Sequence, residues 1–279
     1  MNNLNIAQAV QLPIEKLRPF EGHPFLVKDD AEMEQLVWSI LTQGLLTPIT
    51  VRPIENNEYE VISGHRRLHA CKKAGIETVP ALIYALNRDE ATIAMVDSNL
   101  HREKILPSEK AFAYKLKMDA IRHQGTSGQL GQKWTREEIS DSDSGRQVQR
   151  YIRLTELLPE ILRMVDDGKI ALTPAVELSY LTKLEQQDLL EPMESEDCTP
   201  SISQAIQMKR LSQAGELDID SIFDILRQPK ANQIDKISFR TEDLRKFFPK
   251  GYTAAQMAND ILKGLELLKR QRNRSRDAR

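Results

Sequence analysis

Residues 58–75 constrain the fold more tightly than any other stretch of the chain. Glu58-Tyr59-Glu60-Val61-Ile62 alternates as a half-buried strand does, and Ser63-Gly64 breaks that alternation. A helix-spaced run follows, from Arg66 to Lys73, and stops at Ala74-Gly75. A small residue and a glycine at a strand-to-helix turn leave the first backbone N–H groups of the helix exposed at its positive end, which suits an anion. Arg66 and Arg67 add forked donors matched to phosphate oxygens. The same residues also suit a plain capped helix with solvated arginines.

The flanking segments extend this unit. Ala9 to Leu12 is expected to be a strand, followed by a proline-led helical turn at residues 13–17. Met33, Leu36, Val37, Ile40 and Leu41 have helical spacing, with Asp29 or Asp30 as cap and Gly44 as stop. Ile49-Thr50-Val51 is expected to pair with residues 59–62 across a hairpin turn at Glu55-Asn56-Asn57. Residues 79–83 make a further strand, and a helix runs from Asp89 to about His101. This is the pattern of a compact α+β domain over residues 1–105.

From Leu106-Pro107-Ser108-Glu109 onward the chain reads as helical to about Arg227, interrupted by a glycine-serine loop at residues 124–128. The all-α domain is placed at 106–228. Within it, Thr135 and Glu138 form a capping box in sequence. After the Ser142-Asp143-Ser144-Gly145 turn, Arg146, Gln149, Arg150 and Arg153 lie on one helical face, beside Gln147, with Val148, Tyr151 and Ile152 on another. A basic-amide face on an apolar-backed helix is what a helix-turn-helix recognition helix needs, and an ordinary surface helix has the same pattern. In the last segment, 229–279, residues 234–239 suit a strand and residues 243–248 a short helix. A final helix begins near Thr253. There Ala254, Ala258, Ile261, Leu265 and Leu268 follow the 4-3 spacing of a coiled-coil seam for about two heptads. A basic tail follows Lys269.

Composition narrows the function classes. With 279 residues and a net charge of −2, a nucleic-acid surface has to be local. Two cysteines, Cys71 and Cys198, form neither a disulfide framework nor a close-spaced metal motif, as expected in a reducing cytoplasm. Met1-Asn2-Asn3-Leu4-Asn5 lacks the basic start of a signal peptide, and no apolar run is long enough to span a membrane.

Several segments, in order, resemble the ParB-type partition proteins. Gly44-Leu45-Leu46-Thr47-Pro48 is similar to that family's Gly-x-x-Gln-Pro segment, and Gly64-His65-Arg66-Arg67-Leu68-His69-Ala70 to its Gly-Glu-Arg-Arg-x-Arg-Ala box. Ser98-Asn99-Leu100-His101-Arg102 resembles its Glu-Asn-x-x-Arg box, and residues 106–111 the helix start that follows. The resemblance, over roughly residues 8–182, implies a ParB/sulfiredoxin-like N-terminal α+β domain that binds CTP and magnesium. It further implies an all-α helix-turn-helix domain that reads double-stranded DNA and a small, mainly helical C-terminal element that forms a homodimer. Nucleotide binding would close the dimer as a clamp, and a ParA-like ATPase would be a partner of the nucleoid- or plasmid-associated complex. By the same resemblance Gly44, Thr47, Pro48, Ser63, Gly64, Arg66, Arg67, Asn99 and Arg102 are the nucleotide site, with Asn99 toward the metal. Arg146, Gln147, Gln149, Arg150 and Arg153 are the DNA contacts.

Three positions depart from the family pattern. Thr47 stands for glutamine, His65 for glutamate, and Ser98 for the carboxylate linked to hydrolysis. At most a weak CTPase is expected. An alternative is a small-molecule kinase or other enzyme of the same fold, such as a sulfiredoxin. It is disfavoured by the lack of a cysteine in the Gly64-His65-Arg66 motif and of a carboxylate other than Asp97 in the third box. A purely structural adaptor would leave the arginine turn unexplained.

Overall fold

The structure, a computed structural model, describes residues 9–102, 104–127, 143–228, 241–249 and 251–277. The capping box at Thr135 and Glu138, Ser142 of the turn after it and the strand expected at 234–239 lie outside the described residues. The chain divides into two compact units, residues 1–228 and 229–279.

The first unit begins with a five-stranded sheet: β1 (Val10–Pro13), β2 (Leu17–Arg18), β3 (Ile49–Ile54), β4 (Glu58–Ser63) and β5 (Thr78–Ile83), in the order β1-β5-β3-β4-β2. β1 runs antiparallel to β5, and β5 parallel to β3. β3 and β4 form the expected hairpin, antiparallel, and β2 lies parallel to β4. Asn56 and Asn57 make its tight turn with φ of 60° and 56°, a region that asparagine tolerates better than most residues. Laid flat, the two edge strands of five would lie about 19 Å apart. The four Cα steps from Pro13 to Leu17 reach at most about 14 Å. The sheet therefore curls, bringing β1 and β2 toward each other.

Helices α1 (Ala31–Gln43) and α2 (His65–Lys73) cover this sheet, and their apolar stripes set the core: Met33, Ile40, Leu68 and Cys71 pack with Ile49, Val51, Val61 and Val79. Each large aliphatic side chain buried there contributes about 1.5–3 kcal/mol. The Asp30 carboxylate accepts the Met33 N–H at 2.9 Å to start α1, and Gly44, at φ 74°, stops it. α3 (Arg88–Leu100) opens with a reciprocal capping box between Asn87 and Glu90.

α4 (Pro107–Ser127) packs on α3 through Met95, Val96 and Ala113. It runs through Gly125 to Ser127, where the sequence suggests a loop from Gln124. A helix interior tolerates one glycine at about 1 kcal/mol, which the packing of the preceding turns offsets. α5 (Gly145–Arg153) lies against α4 through Val148, Tyr114 and Tyr151. α6 (Pro159–Asp166), α7 (Leu172–Leu178), α8 (Lys183–Ser195), α9 (Ile202–Ala214) and α10 (Ile219–Arg227) enclose a separate core of Leu154, Ile161, Leu178, Leu189, Met208 and Ile225. The observed architecture is an N-terminal α+β domain followed by helices.

The second unit holds α11 (Thr241–Arg245) and α12 (Ala254–Asp277). On α12, Met257 is buried, whereas Leu262, Leu265 and Leu268 are more than half exposed.

Candidate functional site

The turn that opens α2 is left-handed: Gly64 has φ 104° and ψ 23°. A Cβ built there would lie 3.1 Å from Nη2 and 3.3 Å from Cζ of Arg67, so both the backbone angle and the neighbour call for glycine. The first helical bond is Leu68 N–H to the Gly64 carbonyl, at 2.8 Å. The N–H groups ahead of it have no acceptor within the helix.

The three arginines expected at the nucleotide site occupy different settings. Arg67 Nη1 donates to the carbonyls of Thr47 (2.6 Å) and Pro48 (2.7 Å), tying the segment after Gly44 to the head of α2. Its task in this state is to brace the loop, and burial lowers the pKa of its guanidinium. Arg66 lies 3.3 Å from Glu32 and 3.8 Å from Asp30 at the start of α1, both pairs solvent-facing and individually weak. Arg102, past the end of α3, stacks over Phe25 at 5.6 Å. Arg66 and Arg102 repel each other, and Glu109 offsets part of the charge on Arg102. An anion seated beside them would relieve that repulsion.

Beneath this turn lies a pair of histidines that the sequence reading left out of the site. His65, the first residue of α2, is buried, and its ring stacks on His23 with centroids 3.8 Å apart. His65 Nε2 accepts the Phe20 N–H at 3.3 Å, and His23 Nδ1 donates to the Phe25 carbonyl at 2.8 Å. Burial, then the charges of His23 and Arg102, push His65 down to about 3. Burial and Arg102 also lower His23, against the Phe25 carbonyl and Glu109. Both rings are neutral at physiological pH. His23 Nε2 is buried and unpartnered, the one such side-chain atom among the described residues. A histidine at the first helical position after Gly64 was the available signal. Its partner lies 42 positions earlier, in a loop.

Asn99 is buried, and its Nδ2 donates to the Met95 carbonyl (2.8 Å) and lies 3.3 Å from Ser98 Oγ. The Ser98 hydroxyl itself donates to the Met95 carbonyl. Asp97 points away to pair with Lys117 at 2.5 Å. The donors at the Gly64 turn fit a polyphosphate. The Ser98-Asn99 pair does not fit a magnesium ion held by protein, which takes at least one carboxylate. Among the described residues no cluster of three or more His, Cys, Asp or Glu side chains is arranged to bind a metal.

Glu60 organises the loop that carries His23. Its carboxylate, almost fully buried, accepts from Arg52 Nε (2.7 Å), from Arg88 Nη1 and from the Glu21 N–H (3.1 Å). Arg88 also donates to the Glu21 carbonyl at 2.7 Å and stacks over Phe20 at 4.2 Å. Burial alone would raise the pKa of Glu60. The Glu21 N–H and the two arginines outweigh it and hold the carboxyl below its ordinary value.

In the helical part, Ser144 caps α5 by accepting the Gln147 N–H. Asp143, just before it, accepts from the Tyr114 hydroxyl (2.6 Å) and pairs with Lys110 (2.6 Å), which fixes the start of α5 on α4. Arg146 is exposed on α5. Arg150 donates to Gln147 Oε1 (3.2 Å) and to Thr173 Oγ1 (2.6 Å). Arg153 donates to Ser179 Oγ (3.1 Å) and to the Ser179 carbonyl, and stacks over Tyr180 at 4.2 Å. Gln149 lies against Met118 Sδ at 3.8 Å. The basic face is thus divided. Arg150 and Arg153 brace α7, and Arg146 faces outward.

Residues 2–100 match the model of the ParB N-terminal domain family. The chain is similar to the nucleoid occlusion protein of Bacillus thuringiensis (strain Al Hakam), 43% identical over 106 residues, which is 38% of this chain and 36% of that protein. The match thus spans about a third of the curated relative's length. Among solved structures, it is similar to the C-terminally truncated chromosome-partitioning protein ParB from Caulobacter crescentus complexed to the centromeric parS site. That match has 22% identity and a TM-score of 0.45, over 78% of this chain and 98% of that one. The same Caulobacter protein complexed with CTP-gamma-S matches at 26% identity and a TM-score of 0.32, over 61% of this chain and 91% of that one.

Proposed function

We propose that this chain, with its ParB N-terminal domain, is a DNA-binding protein of the partition or nucleoid-occlusion kind, latched on double-stranded DNA by a nucleoside triphosphate. The observation that carries this reading is the presence of two modules in one chain: the glycine turn with Arg66 and Arg102 around it, and the basic helix α5 seated on α4. CTP is the first candidate nucleotide, by the sequence resemblance. Turnover is slow or absent, because Ser98 has no charge to activate water and its hydroxyl is already engaged with Met95. A small-molecule kinase of the same fold is the lesser reading, since Asp97, the carboxylate it would use, is neutralised by Lys117.

DNA is read by α5. Arg150→Ala and Gln149→Ala should each weaken binding to the cognate fragment by about 5–150-fold, the size of one base-edge contact of about 1–3 kcal/mol. Arg146→Ala should weaken all sequences alike and lower the salt slope by about one. Anisotropy titrations on crosslink-recovered and scrambled fragments check both. Wild-type affinity in both the Arg150 and Gln149 variants would remove α5 from the interface.

A second copy of the chain covers α12. Ile261, Leu265 and Leu268 share one side of this helix, and the two leucines are half exposed. A 24-residue helix is about 36 Å long, enough for a paired seam of a few turns. A chain ending before Thr253 should sediment as a monomer at micromolar concentration while the full chain is a dimer; a dimeric truncation would place the interface elsewhere. A ParA-like ATPase partner and association with a nucleoid or plasmid follow from the same reading. No helix among the described residues is long and apolar enough to cross a membrane.

A further inference from the structure

Arg153 closes the basic face of α5, and its guanidinium lies over the ring of Tyr180, 4.2 Å from the ring centre. Lys209, on α9, brings its ammonium to 3.6 Å from the same centre. Three elements therefore meet at one ring: the end of α5, the residues just past α7, and α9. Two cations drawn to one point repel each other, and the negative face of the tyrosine ring offsets that repulsion. Tyr180 is 42% exposed, so the meeting point opens to solvent.

Much of the donor capacity gathered there is unspent. Arg153 uses Nε and Nη2 on Ser179, and its Nη1 has no acceptor among the described residues. Lys209 gives one of the three N–H bonds of an ammonium to Glu177, at 2.8 Å. The Tyr180 hydroxyl has no partner among the described residues. Glu177 is the one acid paired with either cation among those residues, so the patch is positive. A partner for it brings acceptors and negative charge. Long side chains already held over a ring lose less freedom on meeting that partner than free ones do.

Position selects the partner. Arg153 follows Arg146 and Arg150 along the face of α5 assigned to DNA, about 10 Å of helix from first to last. Tyr180 and Lys209 carry that face past the end of α5. We propose that both contact phosphates of the duplex beside the bases that α5 faces. Tyr180 donates its hydroxyl to a phosphate oxygen, and Lys209 supplies charge. The inference rests on the α5 reading given above and widens the DNA surface from one helix to three elements. Phosphate contacts fix register and add affinity for every sequence, and they do not choose bases.

Two variants test it. Tyr180→Phe keeps the ring beneath both cations and removes only the hydroxyl. Glu177→Gln combined with Lys209→Gln removes the ammonium at constant net charge, so its effect reports a local contact and not the field of the whole chain. Anisotropy titrations on the full chain use a crosslink-recovered fragment and its scrambled counterpart over a range of salt. Tyr180→Phe should weaken both fragments alike by about 3–10-fold, with the salt slope and unfolding midpoint of wild type. The double variant should weaken both by a similar factor and lower the slope by about one. Wild-type affinity in Tyr180→Phe, or a wild-type slope in the double variant, overturns the extension and leaves α5 as the interface. Wild-type affinity in the Arg150 and Gln149 variants overturns the α5 reading, and the extension with it.

Discussion

Replacing Glu60 with glutamine should lower the unfolding free energy of the N-terminal fold by about 3 kcal/mol at neutral pH. The carboxylate is nearly buried and meets two guanidinium groups and a backbone N–H. Glutamine keeps the shape but leaves both arginines without a counter-charge. Arg52 is only 15% exposed and bears most of that penalty, whereas Arg88, at 41%, turns toward water and limits it. The sign with pH follows from linkage. The Glu60 carboxyl is held below its ordinary value in the folded state, so its contribution is present above the unfolded pKa near 4.5. It fades as pH falls through the folded value. The difference between wild type and Glu60→Gln should therefore be full at pH 7 and shrink in acid. Urea midpoints at unchanged m value measure it. A difference under about 1 kcal/mol at pH 7 would mean that the arginines find other partners.

The second large effect acts in mildly acidic solution. His65 takes a proton at about pH 6.5 in the unfolded chain and only near pH 3 in the folded one. Between those values the unfolded state binds more protons, so stability falls as pH is lowered, by about 1.4 kcal/mol per unit. From pH 7 to pH 5 the loss should be about 2 kcal/mol, and His23, displaced in the same direction, adds to it. His65→Gln should flatten this limb and leave the steeper fall below pH 4.5, where Glu60 begins to titrate. Midpoints at half-unit intervals from pH 7.5 to 4 separate the two contributions. An unchanged slope in His65→Gln would mean that some other group drives the acid limb.

Much of the fold was legible because its signals are local. Period-two alternation before Ser63, helical spacing after it and a glycine between them need no knowledge of the rest of the chain. The capped start of α1 is equally local. The electrostatics were not. Glu58 and Glu60 both read as the solvent face of a strand, yet Glu58 pairs with Arg18 in the open while Glu60 is buried under residues 19–24. Arg66 and Arg67 together are expected on phosphates, as forked donors that follow the Ser63-Gly64 turn. The helix turns them about 100° apart, and Arg67 meets two carbonyls of the segment after Gly44. The His23–His65 stack joins a loop to a helix across 42 positions, a contact no periodicity predicts. On α5, spacing placed the four long side chains on one face, but only the arrival of α7 decides that Arg150 and Arg153 lean on Thr173 and Ser179.

The strand order has a consequence for how the domain is made. β1 has a single neighbour in the sheet, β5, with Val10 opposite Ala81, and β5 sits between β1 and β3. As the chain leaves the ribosome, β1 therefore emerges without a partner and waits while some 70 further residues are added, roughly 4–14 s at ordinary synthesis rates. The β3–β4 hairpin can form meanwhile from adjacent residues, and β2 can join it. The curl closes only when β5 slots between two strands already present. Long-range closure of this kind slows folding, and a nascent chain paused before Thr78 displays an unpaired strand and the open flank of β3 to any passing edge.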